Sequence, residues 1–259
     1  MKHWMLTVCL LCPTLWAVAD TPPRLGESLL GVPYVSGTLE TEGEERLIVD
    51  TLQVDCTTFV ELSVARWLAA RHDSLTVEQH VQALRYRNGV IDGYLSRLHY
   101  FTDWVACNAK RGVWYELMPT ESDACLWRTD TLTLNFMSRH PESYPYLKVH
   151  AWAVDSMKEI EQQYVRYPIF YIDKSCLNLT SEELPIRDGD ILALVTTIDG
   201  LDVTHLGFAV WQDGKLHLMH ASMSHGRVVI DERTLYDYLK ERNSCPGVRV
   251  VRLCSRLSS

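Results

Sequence analysis

Cys56 stands where an apolar run of helical period begins. The stretch Asp55-Cys56-Thr57-Thr58 supplies residues suited to a helix cap, and Phe59, Val60, Val64, Trp67 and Leu68 follow at spacings that make one buried stripe. A thiol at such a terminus faces unpaired backbone N–H groups and the positive end of the helix dipole, which lower its pKa and offer donors to an oxyanion. The chemistry expected is attack on a carbonyl by a thiol of depressed pKa. Position alone does not establish it, because a lone cysteine is more often a packing residue. A base is also needed, and a hairpin offers one. Asp213-Gly214 reads as a two-residue turn that pairs Gln212 with Lys215 and, further along, His205 with Ser222. Side chains alternate faces, so His205 and His220 share a face on neighbouring strands, and His217 shares it by parity. His205 is thereby placed to take the thiol proton, with a second histidine fixing its ring.

The elements that must position these groups follow from periodicity and punctuation. Residues 20–55 carry Pro22, Pro23, Gly26, Gly31, Pro33, Gly37 and Gly43 and read as loops and short elements. The spacing predicts a first helix from Thr57 to about Arg71 and a second from about Thr76 to Tyr86, closed by Asn88-Gly89. An irregular, aromatic-rich stretch from Tyr94 to Tyr146 gives way to helical spacing over His150 to Tyr164. Residues of about 90–165 are therefore expected as a largely helical insertion forming one wall of a cleft. Beyond Pro168 strands are expected over 191–198, 205–212, 215–222 and 227–232. Residues 20–259 read as one domain.

The chain has 259 residues, 47% hydrophobic and 22% charged, enough to bury a sizeable core. A net charge of -8 argues against a nucleic-acid partner or an anionic membrane surface. Residues 1–19 have the layout of a signal peptide: Lys2 and His3, an apolar run from Trp4 to Leu15, and small residues at Ala17-Val18-Ala19. That run is too short to span a bilayer, so the expectation is export across an inner membrane, into a periplasm, without an integral membrane segment. Cys9 and Cys12 would leave with the signal. Cys56, Cys107, Cys125, Cys176, Cys245 and Cys254 remain. Their spacing holds no zinc pattern, and pairing is open among the five that are not the candidate nucleophile.

A resemblance then narrows the reading. Gly31-Val32-Pro33-Tyr34, Asp55-Cys56-Thr57-Thr58-Phe59-Val60-Glu61, Gly189-Asp190-Ile191, His205-Leu206-Gly207-Phe208-Ala209 and His220-Ala221-Ser222 resemble, in order, the motifs of the NlpC-type papain-like cell-wall peptidase superfamily. More narrowly, Tyr34 to Glu40, Asp55 to Glu61, Arg85 to Gly89, Tyr94 to Tyr100 and Asp202 to Gly207 are similar to its N-acetylmuramoyl-L-alanine amidase-like branch.

The resemblance implies an α+β fold, a papain-like core with the catalytic helix packed on an antiparallel sheet. It implies Cys56 as nucleophile, His205 as base and His220, rather than His217, as the orienting residue. It implies no cofactor and no metal, and a muropeptide or peptidoglycan fragment as substrate. Tyr34 is expected to help hold the oxyanion. Glu40, Arg85, Arg87, Arg97, His99 and Tyr100 are candidates for reading sugar or carboxylate groups, while Glu61 is expected to be structural. Three other outcomes remain: a γ-D-glutamyl stem-peptide endopeptidase, an acyltransferase using the same thioester, and a catalytically silent cell-wall binding protein.

Overall fold

Two capping boxes start the first two helices. Asp55 accepts from the Thr58 N–H at 2.8 Å while the Thr58 hydroxyl accepts from the Asp55 N–H at 2.8 Å, and Thr76 and Gln79 repeat the exchange. They open α1 (Cys56–Ala69) and α2 (Val77–Arg85) within a residue of the expected starts. The computed structural model describes residues 24–40, 43–71 and 74–254, so the expected signal peptide at 1–19 lies outside the described residues. The other helices are α3 (Phe101–Lys110), α4 (Phe136–Arg139), α5 (Pro145–Val149), α6 (Ala151–Glu161) and α7 (Leu235–Leu239).

The strands are β1 (Trp114–Glu116), β2 (Trp127–Leu132), β3 (Tyr167–Asp173), β4 (Ile191–Val195), β5 (Val203–Gln212), β6 (Lys215–Ser222), β7 (Arg227–Ile230) and β8 (Gly247–Leu253). They form one sheet in the order β2-β3-β8-β4-β5-β6-β7, with β1 also on β8, and every pairing is antiparallel. The fold is mixed α/β with an antiparallel sheet. The hairpin has the expected register, Gln212 opposite Lys215 and Phe208 opposite Met219. Its turn places Asp213 at φ 50° and Gly214 at φ 72°, the left-handed pair that a two-residue turn requires.

The sheet is covered on both faces. One face packs Phe208, Val210, Met219 and Val251 against α1, α2 and α3; the other packs Leu192, Leu194, Leu218 and Val250 against α7. All five residues of β4 are buried, which is why that strand reads as an unbroken apolar run. Among the described residues no helix is long and apolar enough to cross a membrane.

The 90–165 region departs from a largely helical insertion. It carries four helices, but β1 and β2 come from it as well, and Trp104, Val105 and Trp114 belong to the main core beneath the sheet. Its strands lack a readable pattern because β2 is the sheet's edge, with Arg128 to Thr131 exposed. β8 was equally hard to read, since its buried Arg249 breaks the apolar run; Arg249 donates to Glu116 and to the Thr102 hydroxyl.

Candidate active site

Cys56 is the first residue of α1, and that helix is held on β5 by edge-to-face packing of Phe59 on Phe208, centroids 5.4 Å apart. The placement at a helix start is as expected; the acidity is not. Burial, reinforced by the neighbouring Asp55 carboxylate, pushes the Cys56 thiol up to about 11, and hydrogen bonds from backbone groups of Leu206 and Cys56 and from the Thr57 side chain only partly offset this. The expectation of a depressed pKa is therefore corrected. A thiol raised in this way would need a base to act as a nucleophile.

His205 on β5 and His220 on β6 meet with Nε2 of His205 2.6 Å from Nδ1 of His220, their rings nearly perpendicular. Gly207 makes this approach possible. A Cβ there would sit 2.6 Å from the Met219 carbonyl oxygen and 3.1 Å from the His220 Cβ, so any side chain would pry the strands apart beside the histidines. His220 Nε2 in turn faces Asp231 Oδ2 at 3.6 Å, and both residues are buried. Asp231 is fixed by Arg233 through Nε and Nη2, each at 2.9 Å, and through its backbone N–H at 3.0 Å. Burial alone would raise the Asp231 carboxyl, but the Arg233 bonds hold it at about 2. His217 is turned elsewhere, its Nδ1 on the Asp231 carbonyl oxygen at 3.0 Å, so the structure brings His220 and not His217 to His205.

The row assigns the protons. Burial keeps both imidazoles neutral, pushing His205 down to about 3, helped by His220 and Arg242, and His220 down to about 4 against the pull of Asp231. An ionised Asp231 can only accept, and although it stands 3.6 Å from His220 Nε2 without a hydrogen bond, its charge favours the tautomer with the proton on Nε2 and Nδ1 as acceptor. In that tautomer His205 donates from Nε2 at 2.6 Å, and its Nδ1 lone pair is free to accept a proton.

Two cavities meet at Cys56. One, of about 120 Å³, is lined by Cys56, His205, His99, Tyr100, Trp104 and Asp202. The other, of about 280 Å³, is lined by Cys56, His205, His220, Tyr34, Tyr238 and Arg242. A roomier cavity, about 1000 Å³, contains none of the three candidate catalytic side chains; Glu40, Tyr94 and Tyr146 line it. It is the chemistry, not the size, that marks the first two as the site.

Residues 24–248 match the N-acetylmuramoyl-L-alanine amidase-like (AmiA-like) family. The chain belongs to that family. Among solved structures it is similar to an N-acetylmuramoyl-L-alanine amidase from Bacteroides uniformis, with 38% identity, TM-score 0.81, and 89% of this chain and 96% of that one covered. A Bacteroides fragilis protein provisionally named a xylanase is also 38% identical, with TM-score 0.79 over 88% of this chain and 99% of that one. A Legionella pneumophila protein at 21% identity and TM-score 0.64 covers 89% of this chain and 87% of its own, and shares the fold. No curated protein matches.

The other candidates divide within this amidase-like chain. Tyr34 lines the larger Cys56 cavity, its hydroxyl proton held more tightly by burial and by the proximity of Cys56 and Asp55. His99 and Tyr100 line the smaller one, but the Tyr100 hydroxyl is engaged, donating to Glu161 at 2.6 Å and accepting from the Met137 N–H at 2.8 Å. The His99 Nε2 lies 2.9 Å from the Tyr94 carbonyl oxygen. Three arginines are engaged within the chain. Arg85 is buried on Glu61 at 2.8 Å and also donates to the Ile48 carbonyl; Arg87 grips Asp103 with two bonds; Arg97 is buried between Glu40 at 2.9 Å and Glu45 at 3.5 Å. None of the three lines a catalytic cavity, and Glu40 is committed to Arg97. Each found its partner inside the chain, which spacing alone does not show.

Sequence reasoning missed Asp231, Tyr238 and Arg242. Asp231 directly follows β7, and an acid two residues beyond Val229, the partner of His220, falls diagonal to that histidine on the same face and is a readable signal. Tyr238 and Arg242 lie on and just beyond α7, in a segment with no motif to mark it. The six described cysteines are all free.

Proposed function

We propose that the chain is a cysteine amidase that hydrolyses the amide between the N-acetylmuramoyl lactyl group and L-alanine in muropeptides, on a papain-like NlpC-type core, as a secreted, periplasmic enzyme. The observation that carries this reading is the ordered row from Asp231 through His220 to His205, in a cavity shared with the helix-start thiol of Cys56. The names of the amidase-like family and of the Bacteroides uniformis amidase supply the substrate class.

In this reading the thiol passes its proton to His205 Nδ1 as the sulfur attacks the carbonyl carbon. The Cys56 backbone N–H and the Tyr34 hydroxyl hold the oxyanion. The imidazolium formed on His205 is stabilised through His220 by Asp231, and it then protonates the departing alanine nitrogen. Water attacks the thioester with His205 again as base, releasing the lactyl carboxylate and restoring the thiol.

An endopeptidase that recognises a free L-alanine amine would need an available carboxylate near the nucleophile. Asp55 is engaged in its capping box, Glu40 with Arg97, and Asp202, which lines the smaller cavity, with the Thr102 and Val203 N–H groups, which favours the amidase over that alternative. Incubation with a disaccharide-tripeptide tests the proposal by product mass. A peptide-free disaccharide and a tripeptide beginning with L-alanine are expected; a disaccharide still carrying L-Ala-D-Glu would overturn the assignment of the bond.

A further inference from the structure

Two arginines flank one aromatic ring behind the histidine row, and only one of them is neutralised. The Tyr238 ring stands edge-on to His220, centroids 5.5 Å apart. The Arg233 guanidinium lies 4.8 Å from its centroid and is spent on Asp231. The Arg242 guanidinium lies 4.2 Å from the same centroid, and its Nε donates to the Tyr238 carbonyl oxygen at 3.2 Å. Among the described residues no carboxylate pairs with Arg242, so both terminal nitrogens of its fork stay open.

That fork is held in place. The Arg242 N–H donates to the Leu239 carbonyl, and its own carbonyl accepts from the Cys245 N–H and from Lys174 Nζ at 2.9 Å. Stacking on Tyr238 fixes the plane of the guanidinium. It lines the larger catalytic cavity beside Cys56 and His205, and its charge is felt at His205, where it helps keep the imidazole neutral. The smaller cavity holds Asp202 and no arginine or lysine. A planar, oriented and unpaired guanidinium beside a nucleophile is a receptor for a carboxylate.

We infer that Arg242 determines specificity by binding a substrate carboxylate on the leaving-group side of the scissile amide, the free α-carboxylate of the D-glutamate that follows L-alanine. The inference rests on the amidase reading, which requires the leaving nitrogen to meet His205 and so sends the peptide into a cavity containing His205. Of the two such cavities, only the one with Arg242 offers a cation. In a muropeptide the stem continues through the γ-carboxyl of D-glutamate, so the α-carboxylate is free. It lies two residues, about 7 Å of extended chain, from the bond cut. The acyl side of that bond, a lactyl ether on a sugar, carries no charge to compete for the fork.

The test compares N-acetylmuramoyl-L-Ala-D-Glu with its D-isoglutamine counterpart, which replaces that carboxylate by a neutral amide. The enzyme is expected to favour the acid by about tenfold or more in kcat/KM, mainly through KM. Arg242→Gln should bring the ratio to about one, and Arg242→Lys should restore part of it. Equal cleavage of both substrates by the unmodified enzyme would overturn the inference, as would an Arg242→Gln variant that kept the preference. Titration calorimetry of both compounds with Cys56→Ala separates this from the amidase reading. If no amide bond is cut, a D-Glu preference that is lost in Cys56→Ala/Arg242→Gln still supports the carboxylate site, and equal binding of the two compounds still refutes it.

Discussion

Arg85, Arg87 and Arg97 carry the same charge and the same donors as Arg242, yet their surroundings differ. The first three are closed: Glu61, Asp103 and the Glu40–Glu45 pair take up their guanidiniums, and the bonds tie α1, α2, α3 and the 39–48 loop together. Arg242 is open, stacked on Tyr238 and lining the larger Cys56 cavity. The difference teaches that availability, not residue type, separates a binding group from a structural one. Partners within the chain decide availability. The histidine row shows the same contrast, with His217 on a backbone carbonyl and His220 on His205.

If that division is right, substitutions on the two sides must fail differently. Cys56→Ala should cost about 10⁴-fold or more in kcat/KM, and His205→Ala about 10³-fold, each with an unchanged melting temperature. Retention of a tenth of turnover by either would break the division. Arg85→Met should do the reverse. It strands the Glu61 carboxyl in a site where burial already raises its pKa, so urea unfolding should show a loss of about 3 kcal/mol while the folded fraction keeps its turnover. A large drop in kcat at unchanged stability would return Arg85 to the substrate site.

Within the row the effects should decline outward. His220→Ala is expected to cost about 10²-fold and Asp231→Asn about tenfold, while His217→Ala leaves turnover essentially as it was. Equal losses for His217→Ala and His220→Ala would contradict the geometry.

The smallest effect is one of pH. His205 and His220 are kept neutral at about 3 and about 4, below the ordinary histidine value near 6.5, so the unfolded chain binds more protons than the folded one in that window. Stability should therefore fall as pH drops from about 6.5 towards 4. A His205→Asn/His220→Asn protein should show a shallower decline in melting temperature over that range. An equal slope in both proteins would show that the histidines are not held neutral.

Much of this was legible in the sequence because it rests on local signals. The Asp55–Thr58 cap, the alternation of β5 and β6 and the Asp213-Gly214 turn fix Cys56, His205 and His220 within short stretches of chain. What was not legible depends on distant contacts. Arg249 sits inside the β8 strand only because Glu116 arrives from 133 residues away, and the Arg97 partners come from a loop far upstream. The thiol's acidity is not legible for a related reason: the helix terminus is local, but the burial that outweighs it depends on how the rest of the chain packs around Cys56.

Active-site titration with iodoacetamide tests the central claim, that Cys56 is the nucleophile, most directly. The reaction should be run near pH 9, where a thiol raised to about 11 still presents some thiolate. Residual muropeptide hydrolysis is plotted against the fraction of Cys56 carboxamidomethylated, measured by peptide mapping, with exposed Cys125 as the internal comparison. The account predicts a straight line reaching zero activity when Cys56 is fully modified, whatever the extent of modification at Cys125. Activity that survives complete modification of Cys56 would contradict it.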